Sequence, residues 1–159
     1  MAQWYRRIFK EIDPTRQLAL ICDACEAYEA EYASALEDIK PPKGRMAVME
    51  MKIPGLAAEN MARVGDLDIM LQHLENMESV ARKKRQEYYM EHYQRKLSES
   101  VAKAYADADD EVQAIRLIRF RVGSVSAQFD SISRGLEYMH FQITNLVKLK
   151  IAGLDDTEF

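Results

Sequence analysis

The sequence predicts an all-α protein built as a bundle of long helices, and three observations support this prediction. The chain of 159 residues has six glycines and four prolines, and 30% of its residues are charged, which is typical of long helices. Apolar residues recur at three- and four-residue steps over long stretches. The last third of the chain carries an unbroken heptad pattern. A chain of this length usually forms one domain, so we treat residues 1–159 as a single helical domain.

The N-terminal part of the chain predicts a short arm and a first long helix. Residues 1–12 carry apolar side chains at helical spacing, which predicts an amphipathic arm that either docks on the rest of the fold or lies on a membrane surface. The helix spans residues 13–39, because Asp13 is an acidic N-cap and Pro14 suits the first helical position. A pair of prolines that begins at Pro41 ends it.

A connecting segment is predicted between residues 40 and 55. Three prolines and two glycines bracket a short Met/Val/Ile run in this segment, and such residues interrupt regular structure. The run, near residues 46–53, predicts a short strand or an extended stretch that lies over a neighbouring subunit. A second long helix then covers residues 56–97 and carries a basic, tyrosine-rich surface in its second half.

The last helix, residues 108–151, gives the strongest structural signal in the sequence. Its apolar residues alternate in steps of four and three over about four heptads, which is the pattern of a coiled-coil seam. We expect this seam to mediate bundling within the chain and self-association. Residues 152–159 form an acidic tail. The predicted oligomerisation residues are Ile118, Val122, Val125, Phe129, Ile132, Leu136, Met139, Ile143 and Leu146.

One stretch of the second helix concentrates positive charge within an acidic chain. Between residues 81 and 96, six lysines and arginines and two glutamates give a local charge of +4, whereas the whole chain carries −4. We call this stretch the basic-tyrosine run, because three tyrosines are interleaved with its cations. Cations neutralise phosphates and aromatic rings stack on bases, so the run predicts a surface for single-stranded nucleic acid. A solvated helix face with salt bridges, such as Lys83 with Glu87, explains the same residues without a ligand.

Helical spacing assigns the residues of the basic-tyrosine run to different sides of the helix. Lys84 and Tyr88 are expected closer to the packed face, and other cations and rings on the outward face. A second basic group opens the last helix and favours nucleic-acid binding. The expected outward residues are Arg82, Arg85, Tyr89, Tyr93 and Lys96. The full set of candidate DNA-binding residues is Arg82, Lys83, Lys84, Arg85, Tyr88, Tyr89, Tyr93, Arg95, Lys96, Arg116, Arg119 and Arg121.

The sequence carries no recognisable catalytic or metal-binding pattern. Cys22 and Cys25 form a Cys-x-x-Cys pair, but both fall on the apolar stripe of the first helix, and we interpret them as core residues. The three histidines share no ligand spacing, and a Gly-rich phosphate loop and a nucleophile elbow are lacking. We therefore predict a protein that is not an enzyme and uses no cofactor or metal. Because a signal peptide and a membrane-spanning stretch are also lacking, we expect a cytoplasmic protein with no membrane partner.

Residues 80–89 resemble the signature of the phage recombination mediator family UvsY, a basic helix that reads Lys-x-Arg-x-Asp/Glu-Tyr-Tyr. Lys84 and Gln86 depart from the family, which has a small and an apolar residue there. The matching residues are Lys83 and Arg85 for the basic positions, Glu87 for the acid, and Tyr88 and Tyr89 for the tyrosine pair.

Two further stretches extend the resemblance. Residues 12–16, Ile-Asp-Pro-Thr-Arg, are similar to the family's Ile-Asp-x-Thr-Lys entry to its first helix. Residues 98–153 run collinear with the C-terminal helical region of the family. Residues 40–70 have no counterpart there and look like an insertion.

The resemblance implies a mediator of homologous recombination. Such proteins form a ring-like homo-oligomer through their C-terminal helices, bind single-stranded DNA, and help a RecA-like recombinase displace a single-strand-binding protein. Two other classes of protein also fit the sequence. One is a small helical phage protein that binds a host or viral protein, as an inhibitor or scaffold, through the same charged face. The other is a structural coiled-coil adaptor in which the basic-tyrosine run is a solvated face.

Overall fold

The computed structural model describes residues 4–40, 46–93 and 97–152, and its regular structure is entirely helical over these ranges. The all-α prediction is therefore confirmed. Among these residues no helix combines the length and apolarity needed to cross a membrane. The acidic tail, the proline pair and two candidate cations, Arg95 and Lys96, lie outside the described residues. The helices are α1 (Trp4–Ile8), α2 (Pro14–Asp38), α3 (Met46–His92), α4 (Glu99–Asp107) and α5 (Asp110–Ile151).

Local capping explains where α2 and α5 begin. The Asp13 carboxylate accepts a hydrogen bond from the backbone N–H of Thr15 at 2.9 Å, and proline follows at the first helical position. The Asp109 carboxylate accepts from the N–H of Glu111 in the same way, at 3.0 Å. Acidic residues in the first turn of α5 and lysines in its last turn complement the helix dipole.

The predicted connecting segment is wrong from residue 46 onward. Residues 46–53 are neither a strand nor an extended stretch, because they form the first turns of α3, which continues through Pro54. Proline removes one helical hydrogen bond. However, Met49 and Ile53 lie one turn apart and are both buried in the core. Burial of two large apolar side chains, worth about 1.5–3 kcal/mol each, offsets the lost bond.

An antiparallel pair of long helices, α3 and α5, forms the axis of the fold. The start of α3 contacts the end of α5, and the end of α3 contacts the start of α5. α2 is antiparallel to α3 and covers the middle of the pair, as Gln17 meets His73 and Glu31 meets Arg63. The contacts that mark the register of α3 and α5 are Glu50 with His140, Asp68 with Ser126, and Glu78 with Arg116.

The N-terminal arm docks on the helices of its own chain. The Ile8 side chain is buried in the core, and Trp4 packs against that core. The buried Asp66 carboxylate of α3 accepts hydrogen bonds from the backbone N–H groups of Trp4 and Tyr5, at 3.2 and 3.4 Å. The hydroxyl of Tyr28 donates to the same carboxylate. Asp66 therefore fixes the start of α1, which favours internal docking over the membrane alternative.

The predicted seam of α5 packs inside the chain. One of its residues, Phe129, is fully buried between α2 and α3, where the Tyr28 and Tyr32 rings lie roughly perpendicular to its ring. Ile118 and Met139 are partly buried against the same core, and Leu146 is exposed. The seam residues that are buried are Val122, Val125, Phe129, Ile132, Leu136 and Ile143.

Candidate nucleic-acid interface

The described part of the basic-tyrosine run occupies the last turns of α3, where α4 and the start of α5 pack on it. The expected facing is right for Tyr93, which is exposed, and wrong for five other residues of the run. Arg82, Arg85 and Tyr89 are half-buried toward α4 and α5, whereas Lys84 and Tyr88 are exposed. The physical reason is that the two arginines form ion pairs on the side that faces α4 and α5. Their buried or half-buried partners are the carboxylates of Glu78, Asp107 and Asp109.

Carboxylates of the same chain hold the half-buried arginines of the run, Arg82 and Arg85. Arg82 lies 2.9 Å from Glu78 and 2.8 Å from Asp107. Arg85 donates from Nε to Glu111 at 2.9 Å and lies 3.2 Å from Asp109. The hydrogen bond to Glu111 is the main reason that the pKa of Arg85 is raised, so this guanidinium stays charged.

The second basic group is also paired within the chain. Arg116 donates two hydrogen bonds to Oε1 of Glu78, at 3.0 and 2.9 Å, and Arg119 lies 3.4 Å from the other oxygen. Burial raises the pKa of Glu78, but the Arg116 hydrogen bond and the surrounding arginine charges more than compensate, so the pKa is lowered overall. Arg121 forms a two-pronged pair with Glu29, at 2.9 and 2.7 Å.

A tyrosine of α4, which the sequence did not single out, packs against two tyrosines of the run. Tyr105 of α4 lies between Tyr89 and Tyr93, with ring centroids 5.6 and 5.5 Å away. The Tyr89 hydroxyl donates to Asp109 at 3.0 Å, and this bond is the main cause of its raised pKa. The sequence signal for Tyr105 was its place in the acidic stretch before α5, where a ring is otherwise out of pattern.

The solvent-facing side of α3 carries a different set of residues, which we call the exposed stripe: Lys83, Lys84, Tyr88 and His92. Lys84, Tyr88 and His92 follow one another at four-residue steps, so they lie on one side of the helix. The Tyr88 and His92 rings stack nearly parallel, with centroids 4.6 Å apart and planes 16° apart. Nδ1 of His92 lies 3.1 Å from the Tyr88 carbonyl oxygen and holds the imidazole in this position. His92 was not among the predicted site residues.

An apolar groove of about 480 Å³ begins beside the exposed stripe. It runs between the start of α2, the middle of α3 and the start of α5, with Lys84 and Glu111 at its rim. Val80 lines it and is 69% exposed. Most of its lining is apolar, as in grooves that receive an apolar helix of a partner.

Cys25 lies in the core, as expected, whereas Cys22 is only half-buried. Cys25 is buried, and this burial is the main cause of a thiol pKa raised to about 11. A thiol with such a pKa is a poor nucleophile and metal ligand at neutral pH. In the part of the chain that the structure describes, no three histidine, cysteine, aspartate or glutamate residues are grouped so that they could hold a metal ion.

Comparison with known proteins does not assign this chain to a family. Protein-family models, curated proteins and solved structures yield no significant match to this chain. The functional inference therefore depends on the geometry of α3, α4 and α5 and on the resemblance of the basic-tyrosine run.

Proposed function

We propose that this protein binds single-stranded DNA and acts as a recombination mediator, helping a RecA-like recombinase to replace a single-strand-binding protein on the strand. The observation that carries the proposal is the exposed stripe. Its stacked Tyr88 and His92 rings offer a flat, solvent-facing surface, and two lysines lie within about two turns of it.

The chemistry of the exposed stripe suits a strand better than a duplex. A ring that is open on one side accepts an unpaired base, and each stacked base contributes about 1–3 kcal/mol. Lys83 and Lys84 supply charge for the phosphates on either side of that base. A patch with so few cations binds weakly as a single copy, so several copies on one strand are needed to raise the overall affinity.

A salt series with a labelled single-stranded oligonucleotide tests this proposal. We expect the binding constant of the wild-type protein to fall steeply with salt. In Lys83→Ala/Lys84→Ala the slope of log K against log salt should decrease by about 0.7 for each phosphate that the variant no longer neutralises. Tyr88→Ala should weaken binding at every salt concentration by about 1–3 kcal/mol, because it removes a stacking surface rather than a charge.

The control variant is Lys52→Ala/Lys150→Ala. Both lysines are exposed, and Lys52 lies roughly 48 Å from Lys84 along α3 at 1.5 Å per residue. The control removes the same charge from the far end of the helix pair. If wild-type protein does not bind at low salt, or if both double variants lose the same affinity, the proposal is wrong.

The proposal includes a homo-oligomer, and the outer face of α5 is the surface that supports it. A contact through the predicted seam would have to expose the core, because that seam is buried within the chain. Phe120 and Tyr138 each lie nine residues, or two and a half turns, from Phe129 and so point away from the core. Leu117 and Phe141 lie twelve residues on either side of it. These four side chains are 62–67% exposed.

This spacing makes the outer face of α5 complementary to itself. Two antiparallel copies of α5, centred on residue 129, would place Phe120 of one copy against Tyr138 of the other. The same arrangement would place Leu117 against Phe141. A contact in which each copy uses the same patch is the usual form of a two-fold interface. The ring-like assembly that the resemblance implies stays a prediction.

Light scattering coupled to size exclusion tests the self-association. At micromolar concentration we expect a mass above the 18.4 kDa of one chain. Phe120→Glu should reduce the mass to that of a monomer without unfolding the protein, because it places two charges in the proposed contact. Met61→Glu, at a position that is 65% exposed on α3, is the matched control and should leave the mass unchanged. A wild-type monomer would contradict the proposed oligomer.

A second candidate function is supported by the apolar groove beside the exposed stripe. A helical phage protein that inhibits or organises a host or viral protein could receive an apolar helix of that partner in this groove. Lys84 and Glu111 at the rim would then contact the partner's polar side chains. Absence of oligonucleotide binding at low salt, together with a folded protein, would favour this candidate over the mediator.

A further inference from the structure

The segment that follows α3 covers the half-buried side of the basic-tyrosine run. We call residues 99–111 the acidic strap. They comprise α4, the short connection after it and the first residues of α5. The strap holds carboxylates and an aromatic ring against the same residues that the sequence marks as DNA-binding.

Carboxylates of the strap occupy the guanidinium groups of the run. Asp107 lies 2.8 Å from Arg82. Asp109 and Glu111 together hold Arg85, at 3.2 and 2.7 Å. Each carboxylate therefore stands where a phosphate oxygen of a bound strand would form its ion pair.

The ring of the strap occupies the aromatic surface of the run. Tyr105 lies between Tyr89 and Tyr93 at centroid distances of 5.6 and 5.5 Å, and its plane is tilted from theirs by 36° and 30°. A base of a single strand could take the same place, because it presents a flat face of similar size. The strap thus combines an anion and a ring, as a nucleotide does.

The strap is held by contacts that a strand could displace. The buried side chains of α4 are Ala102 and Ala106, which contribute little apolar surface. Although the Arg82 and Asp107 side chains are 36% and 38% exposed, their two facing atoms are shielded from solvent and neither has a hydrogen-bond partner, which costs stability. Nε of Arg82 and Oδ1 of Asp107 are close but lack the alignment of a hydrogen bond.

From these contacts we propose that the acidic strap is an autoinhibitory element, which covers the arginine and tyrosine side of α3 until a single strand displaces it. This inference depends on the proposed DNA-binding function and deepens it. The exposed stripe makes the first contact with the strand. Phosphates then replace Asp107 and Asp109, a base replaces Tyr105, and Arg82 and Arg85 join the interface.

Binding of a labelled single-stranded oligonucleotide at low salt tests the strap. Asp107→Asn/Asp109→Asn removes two charges from the strap and keeps a good N-cap for α5, since asparagine caps as well as aspartate. We expect this variant to bind about tenfold more tightly than wild type. Glu99→Gln/Asp110→Asn is the matched control, because it changes the net charge equally at two exposed acids of the same segment. The control should bind within about twofold of wild type.

Hydrogen exchange of wild-type protein gives a second readout that requires no variant. Amides of α4 should exchange faster when the oligonucleotide is bound, because the strap has left α3. Equal affinity of the two double variants, or unchanged protection of α4 in the complex, would overturn the strap while leaving DNA binding in place. Failure of the wild-type protein to bind at low salt would overturn the proposed function and the strap together. If the strap variant does not fold, as judged by circular dichroism, the exchange result decides.

Discussion

Replacing Phe129 with alanine should lower the free energy of unfolding by about 3–5 kcal/mol. Phe129 is fully buried where α2, α3 and α5 meet. The rings of Tyr28 and Tyr32 approach it at centroid distances of 6.1 and 5.7 Å, and the guanidinium of Arg63 lies 5.4 Å from its centroid. The substitution therefore leaves a cavity that three helices share and that none of them can fill alone. Urea denaturation followed by circular dichroism measures the decrease in stability.

Phe120→Ala is the matched control for this prediction. It is the same substitution in the same helix, at a side chain that is 63% exposed. At a concentration where the protein is monomeric, the control should change stability by less than about 0.5 kcal/mol.

Phe129→Glu distinguishes a seam that packs within one chain from a seam that joins separate chains. If the seam joined separate chains, this variant would be a folded monomer, whereas the structure predicts an unfolded protein.

The helices whose ends depend on local chemistry were predicted well from the sequence. The predicted first helix, 13–39, and last helix, 108–151, differ by at most two residues at each end from α2, Pro14–Asp38, and α5, Asp110–Ile151. Both begin after an aspartate whose side chain caps the first turn. Such a cap is formed by neighbours in the sequence, so the sequence is enough to find it.

The start of α3 was missed because its stability comes from distant residues. Prolines and glycines around residues 46–53 predict a break, and nothing local opposes that prediction. Met49 and Ile53 become helical because α5 offers them a core. Polar residues on the inner side of α3 also interrupt its apolar pattern, so the sequence does not indicate that α3 pairs with α5. The buried polar and charged residues of α3 are Asn60, Asp66 and Glu78.

The same limit applies to the seam of α5 and to the candidate site. A heptad pattern shows that a helix has a partner, but it does not show whether that partner belongs to the same chain. Likewise, Arg82 and Arg85 have helical spacing suited to an outward face, yet apart from Glu78 their carboxylates come from α4 and the start of α5. Ion pairs between residues more than twenty positions apart leave no periodic signal in the sequence.

Replacing Glu78 with glutamine should lower the free energy of unfolding by about 2–4 kcal/mol. The Glu78 carboxylate is buried, and Arg82, Arg116 and Arg119 converge on it. The arginines keep 24–36% of their side-chain surface exposed. Water therefore compensates part of the missing charge, so we expect less than the full cost of an unpaired buried ion. Chemical denaturation at neutral pH measures the effect.

The pH dependence of this effect identifies its electrostatic origin. Because the pKa of Glu78 is lowered from its ordinary 4.5 in the folded protein, its stabilising charge is fully present above that value and disappears as pH falls through the lower folded pKa. The stability difference between wild type and Glu78→Gln should therefore shrink in acid. Glu87→Gln, an exposed acid on the same helix, should show almost no difference at any pH. A Glu78→Gln deficit that persists unchanged in acid would mean that side-chain shape, and not the charge that gathers three arginines, holds α3 against α5.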